Sequence, residues 1–301
     1  MNIDISGVPV NALELIGLGC IVGFLSGLFG IGGGPLLTPI LDIFLGIPLE
    51  ICMGSNLSRT TGTSFSAMLR YWQFGDVDLK LALMVIGGNF CGIELGIQLL
   101  NQLRQLSDFN LGARSISAFQ FYLRWLFLGL LITVAVLIII ESLRSRNQMA
   151  AQQQKVGFFR RISIPPYVAF PTSGIQRISL PAVVYTSLLI GILTGLLGIG
   201  GGVIWVPLLI YGYGAKTHLA IGTSLLIVFF SATYGTVSYA LRGHVDLPLV
   251  VLLTIGATIC AQFGAIVARR FEGRSIRLYF ALIVLIVAGI IFFEQMNLLY
   301  G

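Results

Sequence analysis

One thirteen-residue stretch limits what this chain can fold into. It reads Gly27-Leu28-Phe29-Gly30-Ile31-Gly32-Gly33-Gly34-Pro35-Leu36-Leu37-Thr38-Pro39. It recurs 168 residues later as Gly195-Leu196-Leu197-Gly198-Ile199-Gly200-Gly201-Gly202-Val203-Ile204-Trp205-Val206-Pro207. Each copy sits inside an apolar run. Glycine in a helix interior costs about 1 kcal/mol relative to alanine, so five glycines in eight positions interrupt the helix. Close packing through small residues is the alternative reading, but that needs small residues four apart rather than three in a row. In lipid, broken backbone is tolerated only where it is buried in protein or lines a water-filled cavity. Two such breaks at matching places are the sequence pointer to a transporter binding site.

Composition settles the solvent. Of 301 residues, 56% are hydrophobic and 10% charged, against about 25% charged in soluble domains. The reading is an all-α polytopic membrane protein, and a water-soluble core is excluded. The start, Met-Asn-Ile-Asp, carries no basic segment before the first apolar run, so no cleaved signal peptide is expected. Cys20, Cys52, Cys91 and Cys260 form no CxxC pair and read as small hydrophobes. His218 and His244 lie in short connections without metal-ligand partners. No cofactor and no metal are expected, and the net charge of +6 is read as topology rather than nucleic-acid binding.

The apolar runs are 12–29, 35–46, 53–72, 79–101 and 121–141, then 181–198, 203–213, 219–240, 247–268 and 277–294. The run 35–46 would span about 18 Å as a helix, short for a hydrocarbon core of about 30 Å. Each half therefore reads as a long leg, a glycine break, a short leg and three further spans. The duplication continues without a gap. Pro39, Gly46 and Gly54 match Pro207, Gly214 and Gly222, while Tyr71, Asp78, Gly88 and Gly96 match Tyr239, Asp246, Gly256 and Gly264. The domains are a membrane repeat over 1–141, a polar linker over 142–180 and a second membrane repeat over 181–301.

Positive charge gives orientation. The linker holds Arg144, Arg146, Lys155, Arg160, Arg161 and Arg177, and the connection before the last span holds Arg269, Arg270, Arg274 and Arg277. Both are expected in the cytoplasm and both termini outside. This works only if each long and short leg form a hairpin returning to its starting side. The halves are then two inverted-topology repeats, each a glycine-broken helix hairpin plus three transmembrane helices. One loop fits poorly, since 101–120, with Arg104 and Arg114 against Asp108, falls outside.

Inverted halves bring the two breaks together near mid-membrane. Short helices start after them, with Pro35 suited to a first helical position. Their unpaired N–H groups carry partial positive charge, and glycines permit close approach. Gly30, Gly32, Gly33, Gly34, Gly198, Gly200, Gly201 and Gly202 are the expected main-chain site for a small anion. Ser55, Asn56, Thr223 and Ser224, at a helix start, are a second wall of it or else N-caps and interhelical hydrogen bonds. Arg59, where a charge is costly, is an anion partner or snorkels to the surface. Glu94 carries a coupling proton or pairs with Arg59. Asp78 and Asp246 read as N-caps, and Tyr71 and Tyr239 as interfacial anchors.

The doubled Gly-Leu-hydrophobic-Gly-Ile-Gly-Gly-Gly stretch, Pro39 and Pro207, and Gly54-Ser55 with Gly222-Thr223 resemble the TauE/SafE, or sulfite exporter, family. The resemblance covers roughly 12–140 and 181–295 and not the linker. It implies a non-enzyme: a transporter of sulfite, sulfoacetate or related anions across a bacterial inner membrane, coupled to protons. It points to the eight glycines; Arg59 and Glu94 rest on the physical argument alone. The expected function is secondary transport of small sulfur-containing or organic oxyanions (sulfite, thiosulfate, sulfoacetate-like) by alternating access. An anion channel and an intramembrane enzyme are the alternatives. The expected partners are the small anion, the lipid bilayer and protons, with oligomeric state left open.

Overall fold

The computed structural model describes residues 2–5, 7–104, 109–111, 114–116, 118–146, 164–271 and 273–300. The first repeat opens with a hairpin, β1 (Asn2–Ile5) and β2 (Val8–Asn11), followed by α1 (Ala12–Phe29), α2 (Gly34–Leu45), α3 (Leu49–Gln73) and α4 (Leu79–Leu103). A short hairpin, β3 (Phe109–Leu111) and β4 (Arg114–Ile116), leads to α5 (Ala118–Arg146). The second repeat is preceded by β5 (Tyr167–Phe170) and β6 (Ile175–Ser179). It runs through α6 (Leu180–Leu197), α7 (Gly202–Pro207), α8 (Thr217–Ala240), α9 (Leu247–Ala268) and α10 (Gly273–Tyr300). After α7 the backbone widens over Leu208–Gly212, where Tyr213 N–H reaches the Leu208 carbonyl at 3.0 Å.

Seven of these helices, α1, α4, α5, α6, α8, α9 and α10, contain stretches long and apolar enough to cross a membrane. The protein is an all-α polytopic membrane protein. Helix α3 is as long as α4 but more polar, and its polar side chains are sheltered inside the bundle: Ser55, Asn56, Arg59, Thr60, Thr63 and Ser64 have no exposed surface. Large apolar side chains such as Leu13, Ile21, Leu83, Tyr185, Leu189 and Phe263 cover the outside.

The two repeats interlock. Gly19, Gly23 and Gly27 on α1 lie against the backbone of Leu253, Ala257 and Ala261 on α9, a register that makes these helices run the same way. Gly191 and Gly195 on α6 meet Asn89 and Ile93 on α4 identically, 168 residues on. A side chain at any of these glycines would overlap the neighbouring main chain, so this is small-residue packing between helices. At the centre α3 and α8, which are equivalent in sequence, pack in opposite directions: Leu57 sits against Gly235 and the Phe65 ring against Phe229.

Helix starts correct part of the sequence reading. Pro48 and the extended Lys216 precede α3 and α8, so these helices begin at Leu49 and Thr217. Ser55, Asn56, Thr223 and Ser224 thus lie at least a turn inside their helices, and none of them is an N-cap. Asp78 and Asp246 do cap: each Oδ1 accepts the N–H of the residue three further on, Leu81 and Leu249, at 3.0 Å. Tyr71 and Tyr239 are not interfacial anchors. Both are fully buried, and their hydroxyls donate to the carbonyls of Gly27 (3.2 Å) and Gly195 (2.8 Å). The end of the polar linker forms the β5–β6 hairpin, whose turn residue Ser173 donates N–H and hydroxyl to Asp78 Oδ2. Residues 147–163, with Lys155, Arg160 and Arg161, lie outside the described residues.

Candidate functional site: a buried cation between two glycine breaks

Both breaks are built alike. Helix α1 ends at Phe29 and α6 at Leu197, and the next residues, Gly30 and Gly198, turn left-handed with φ of 75° and 63°. Each N–H caps its helix at the carbonyl four residues back, on Ser26 or Thr194. Gly33 and Gly201 then start α2 and α7, again left-handed at φ of 77° and 80°. Only glycine takes these angles without strain, which is why the pattern is doubled.

The breaks touch each other. A methyl group on Gly34 would overlap the Ile199 main chain, and one on Gly202 would overlap that of Ile31. Polar side chains of α3 and α8 brace the contact. Asn56 Nδ2 lies within hydrogen-bond distance of Gly34 O (3.2 Å), Thr38 Oγ1 (3.0 Å) and, from the other repeat, Gly198 O (3.1 Å). Ser224, the equivalent of Asn56, donates to Gly30 O at 2.9 Å or to Ile221 O at 2.7 Å. Ser55 and Thr223 are turned elsewhere, since their hydroxyls accept the N–H groups of Asp246 and Asp78. They pin the connections before α9 and α4.

Arg59 packs on the first break, and the two breaks meet main chain to main chain rather than across the open cavity that the glycine-rich reading allows. Arg59 does not snorkel, having no exposed surface. Its Nη2 donates to Gly32 O (2.9 Å), Asn56 Oδ1 (2.7 Å) and Thr60 Oγ1 (3.1 Å), and Nη1 approaches Thr63 Oγ1 at 3.4 Å. Its Nε has no partner, and among the described residues it forms no ion pair. A methyl on Gly33 would lie 2.9 Å from Nη1, so the guanidinium sits directly on the first break. Further unpaired polar atoms surround the breaks: Ser26 Oγ, Ser64 Oγ, Thr194 Oγ1 and Trp205 Nε1. The last two flank Gly201, within 2.7 and 3.2 Å of where its Cβ would be. Buried polar groups are normally satisfied; here five donors gather unsatisfied around two glycine turns.

Glu94 does not reach Arg59. It pairs with Arg242 at 3.2 Å, near the end of α8, with Tyr234 and Ser238 at 3.5 Å from its other oxygen. Sequence reasoning missed Thr60, Thr194 and Trp205. The signal was available in the alignment of the halves, where Trp205 stands opposite Leu37 and Thr60 opposite Val228. It also missed an ion pair between Asp42 on α2 and Arg124 on α5, at 2.9 Å.

The sequence model described as "Sulfite exporter TauE/SafE" matches residues 15–291. The chain belongs to the sulfite exporter TauE/SafE family. Family relatives agree over nearly their whole length. A "Probable membrane transporter protein YunE" of Bacillus subtilis (strain 168) is 23% identical over 93% of this chain and 97% of its own. A "Probable membrane transporter protein" of Xylella fastidiosa (strain 9a5c) is 28% identical over 92% and 94%, and "Probable membrane transporter protein MJ0441" of Methanocaldococcus jannaschii is 25% identical over 88% and 89%. No solved structure matches this TauE/SafE chain. With the multi-pass helical fold, the family makes it a membrane transporter.

Proposed function

We propose that this protein is a secondary transporter of small sulfur-containing or organic oxyanions, such as sulfite, thiosulfate or sulfoacetate, working by alternating access and coupled to protons. The observation that carries the reading is Arg59: a fully buried guanidinium with no carboxylate partner, set on one glycine break and tied through Asn56 to the other. An unpaired buried charge is strongly unfavourable, so the site is suited to an anion that completes it. The surrounding unpaired hydroxyl, indole and guanidinium donors suit several acceptor oxygens. The residues of both breaks are buried, so in this reading an anion reaches Arg59 only when the packing around the breaks opens.

The repeats are inverted in this reading. Equivalent helices α3 and α8 run oppositely, so the two-fold relating them is perpendicular to their axes. Counting crossings, that arrangement supports a hairpin at each glycine break, since a single broken span would set α3 and α8 parallel. In a bacterial inner membrane the linker and Arg269 then face the cytoplasm, and the termini face outward. Arg104, the charge that fits the outside poorly, is offset by its ion pair with Glu50.

Counterflow in proteoliposomes tests the function. Internal unlabelled sulfite, thiosulfate or sulfoacetate should drive uptake of the labelled anion by the wild type, and Gly33→Leu or Gly201→Leu should abolish it. Equal uptake by all three proteins, or conductance without saturation, refutes the proposal.

A further inference from the structure

A cavity lies between α2, α3, α5 and α10, beside the site and distinct from it. Its wall includes Thr38, Asp42, Met53, Arg124, Phe127 and Ile291. Two facts connect it to the glycine breaks. Thr38 lines the cavity and is hydrogen-bonded to Asn56 Nδ2, which also reaches the second break. Asp42 lies one helical turn beyond Thr38 on the same face of α2, the leg that begins at Gly33. The chain Asp42, Thr38, Asn56, Arg59 therefore runs from the cavity to the buried cation.

The Asp42 carboxylate accepts from Arg124 Nε at 3.0 Å and from Nη2 at 2.9 Å. Both side chains are largely buried, with 6% and 16% of their surface exposed. The fold does not demand the acid, because the equivalent residue on the second short leg is Ile210, also buried. A buried ion pair gains little over apolar packing, so its presence on one leg alone asks for another explanation. The other titratable groups acting on Asp42 are Glu294 of α10 and the Cys52 thiol of α3.

We propose that Asp42 is the proton-carrying residue of the transport cycle, with Arg124 as its resting counter-ion. The idea rests on the oxyanion reading of the Arg59 site. In the resting state Asp42 is ionised and paired. When an anion occupies the site, a hydronium ion from the aqueous phase gives its proton to an Asp42 oxygen through the cavity, leaving water, forming the carboxylic acid and breaking the ion pair. The positive charge left on Arg124 offsets the anion. Departure of the anion reverses the step: the O–H bond breaks, the proton returns to water and the ion pair re-forms. Coupling is reciprocal, since the anion raises the proton affinity of Asp42 and the proton raises the affinity for the anion. Glu94, already paired with Arg242 away from this chain, is not needed.

Two measurements test it. In proteoliposomes an acid-outside gradient should drive wild-type accumulation of labelled sulfite above equilibrium. Asp42→Asn should keep sulfite counterflow and lose the gradient-driven accumulation; Asp42→Glu should keep part of both. Accumulation by Asp42→Asn overturns the proposal, and so does loss of its counterflow, which would mark a structural role. If the wild type itself shows no counterflow with any oxyanion, the oxyanion reading fails, and infrared titration without substrate still decides the role of Asp42. The wild type should then show a carboxylic-acid band that grows on acidification and is missing in Asp42→Asn. Identical spectra would end the proposal.

Discussion

Thr60 and Val228 occupy equivalent positions in the two repeats and both stand against both glycine breaks. A methyl group on Gly32 would lie 2.8 Å from Thr60 Cγ2 and from Val228 Cγ1, and one on Gly200 would lie 3.2 and 3.3 Å from the same two atoms. In the proposed inverted arrangement the two-fold axis passes through this spot. The chemistry around it is asymmetric: Thr60 Oγ1 donates to Gly32 O at 3.1 Å, whereas Val228 offers only methyls. The break that holds Arg59 is thus also the more polar one.

Alanine at these glycines should destabilise the protein unequally. A left-handed backbone costs an L-residue about 1–2 kcal/mol, and that applies to both, since φ is 70° at each. Gly32→Ala must also displace Thr60 and Val228 from closer range. Thermal unfolding in detergent should place Gly32→Ala below Gly200→Ala and both below wild type. The reverse order would contradict the packing at the axis.

Arg59 sets stability against function. Its charge is buried without a carboxylate, and the typical effective penalty for burying an ion is several kcal/mol. Arg59→Gln removes the charge and leaves an amide able to donate to Gly32 O. The unliganded variant should melt no lower than wild type. Its sulfite-dependent thermal shift, which follows ligand affinity by mass action, should vanish. Arg59→Lys keeps the charge without the planar fork and should show an intermediate shift. A full shift from Arg59→Gln would exclude Arg59 from the site.

How far the sequence alone carries can be judged from these residues. The 168-residue offset located both breaks, and α1 begins and ends where the apolar run does, because composition and glycine are strong local signals. The offset also made the duplication legible before any coordinates. Side-chain direction was not legible. Ser55 and Asn56 are adjacent in one polar run, yet one braces the connection before α9 and the other braces both breaks. A helix sends neighbouring residues about 100° apart, and which face meets the axis depends on packing. Glu94 misled for the same reason: its partner Arg242 lies 148 residues away in sequence, and no local pattern announces it. Tyr71 and Tyr239 resembled membrane-interface residues, yet the interlock of repeats buries them.

Those two tyrosines give a test of the equivalence of the two halves. Each hydroxyl bonds to a glycine carbonyl in the last turn of the broken helix of its own repeat, and the geometry repeats 168 residues on. Losing one such bond costs about 0.5–1.5 kcal/mol. Tyr71→Phe and Tyr239→Phe should each lower the unfolding midpoint by similar amounts, and the double variant should lower it by their sum, as for separate sites. Denaturant or thermal unfolding of the four proteins would check this; a silent variant at either position would break the equivalence.

A pH effect on stability is expected from His244, in the connection between α8 and α9. Its Nε2 lies 3.3 Å from Arg104 Nη1 and 3.4 Å from Glu50 Oε2. Neutral at Nε2 the ring accepts from Arg104, and with a proton there it donates to Glu50, so the ring stands between an acceptor and a donor. Burial is the main cause lowering the pKa of His244 below its ordinary 6.5, with Glu50 opposing and Arg104 adding to the effect. A histidine with a lowered folded-state pKa binds its proton less readily when folded than when unfolded. Stability therefore falls as pH drops below 6.5 and levels off below the folded pKa. The carboxylates of the protein add their own slope, so the informative quantity is the difference between wild type and His244→Gln. The variant should melt closer to wild type at pH 5 than at pH 8, because acid removes stability from the wild type that the variant never had to lose. A difference independent of pH would mean that His244 titrates alike in both states, and that Arg104 and Glu50 hold each other without regard to the ring between them.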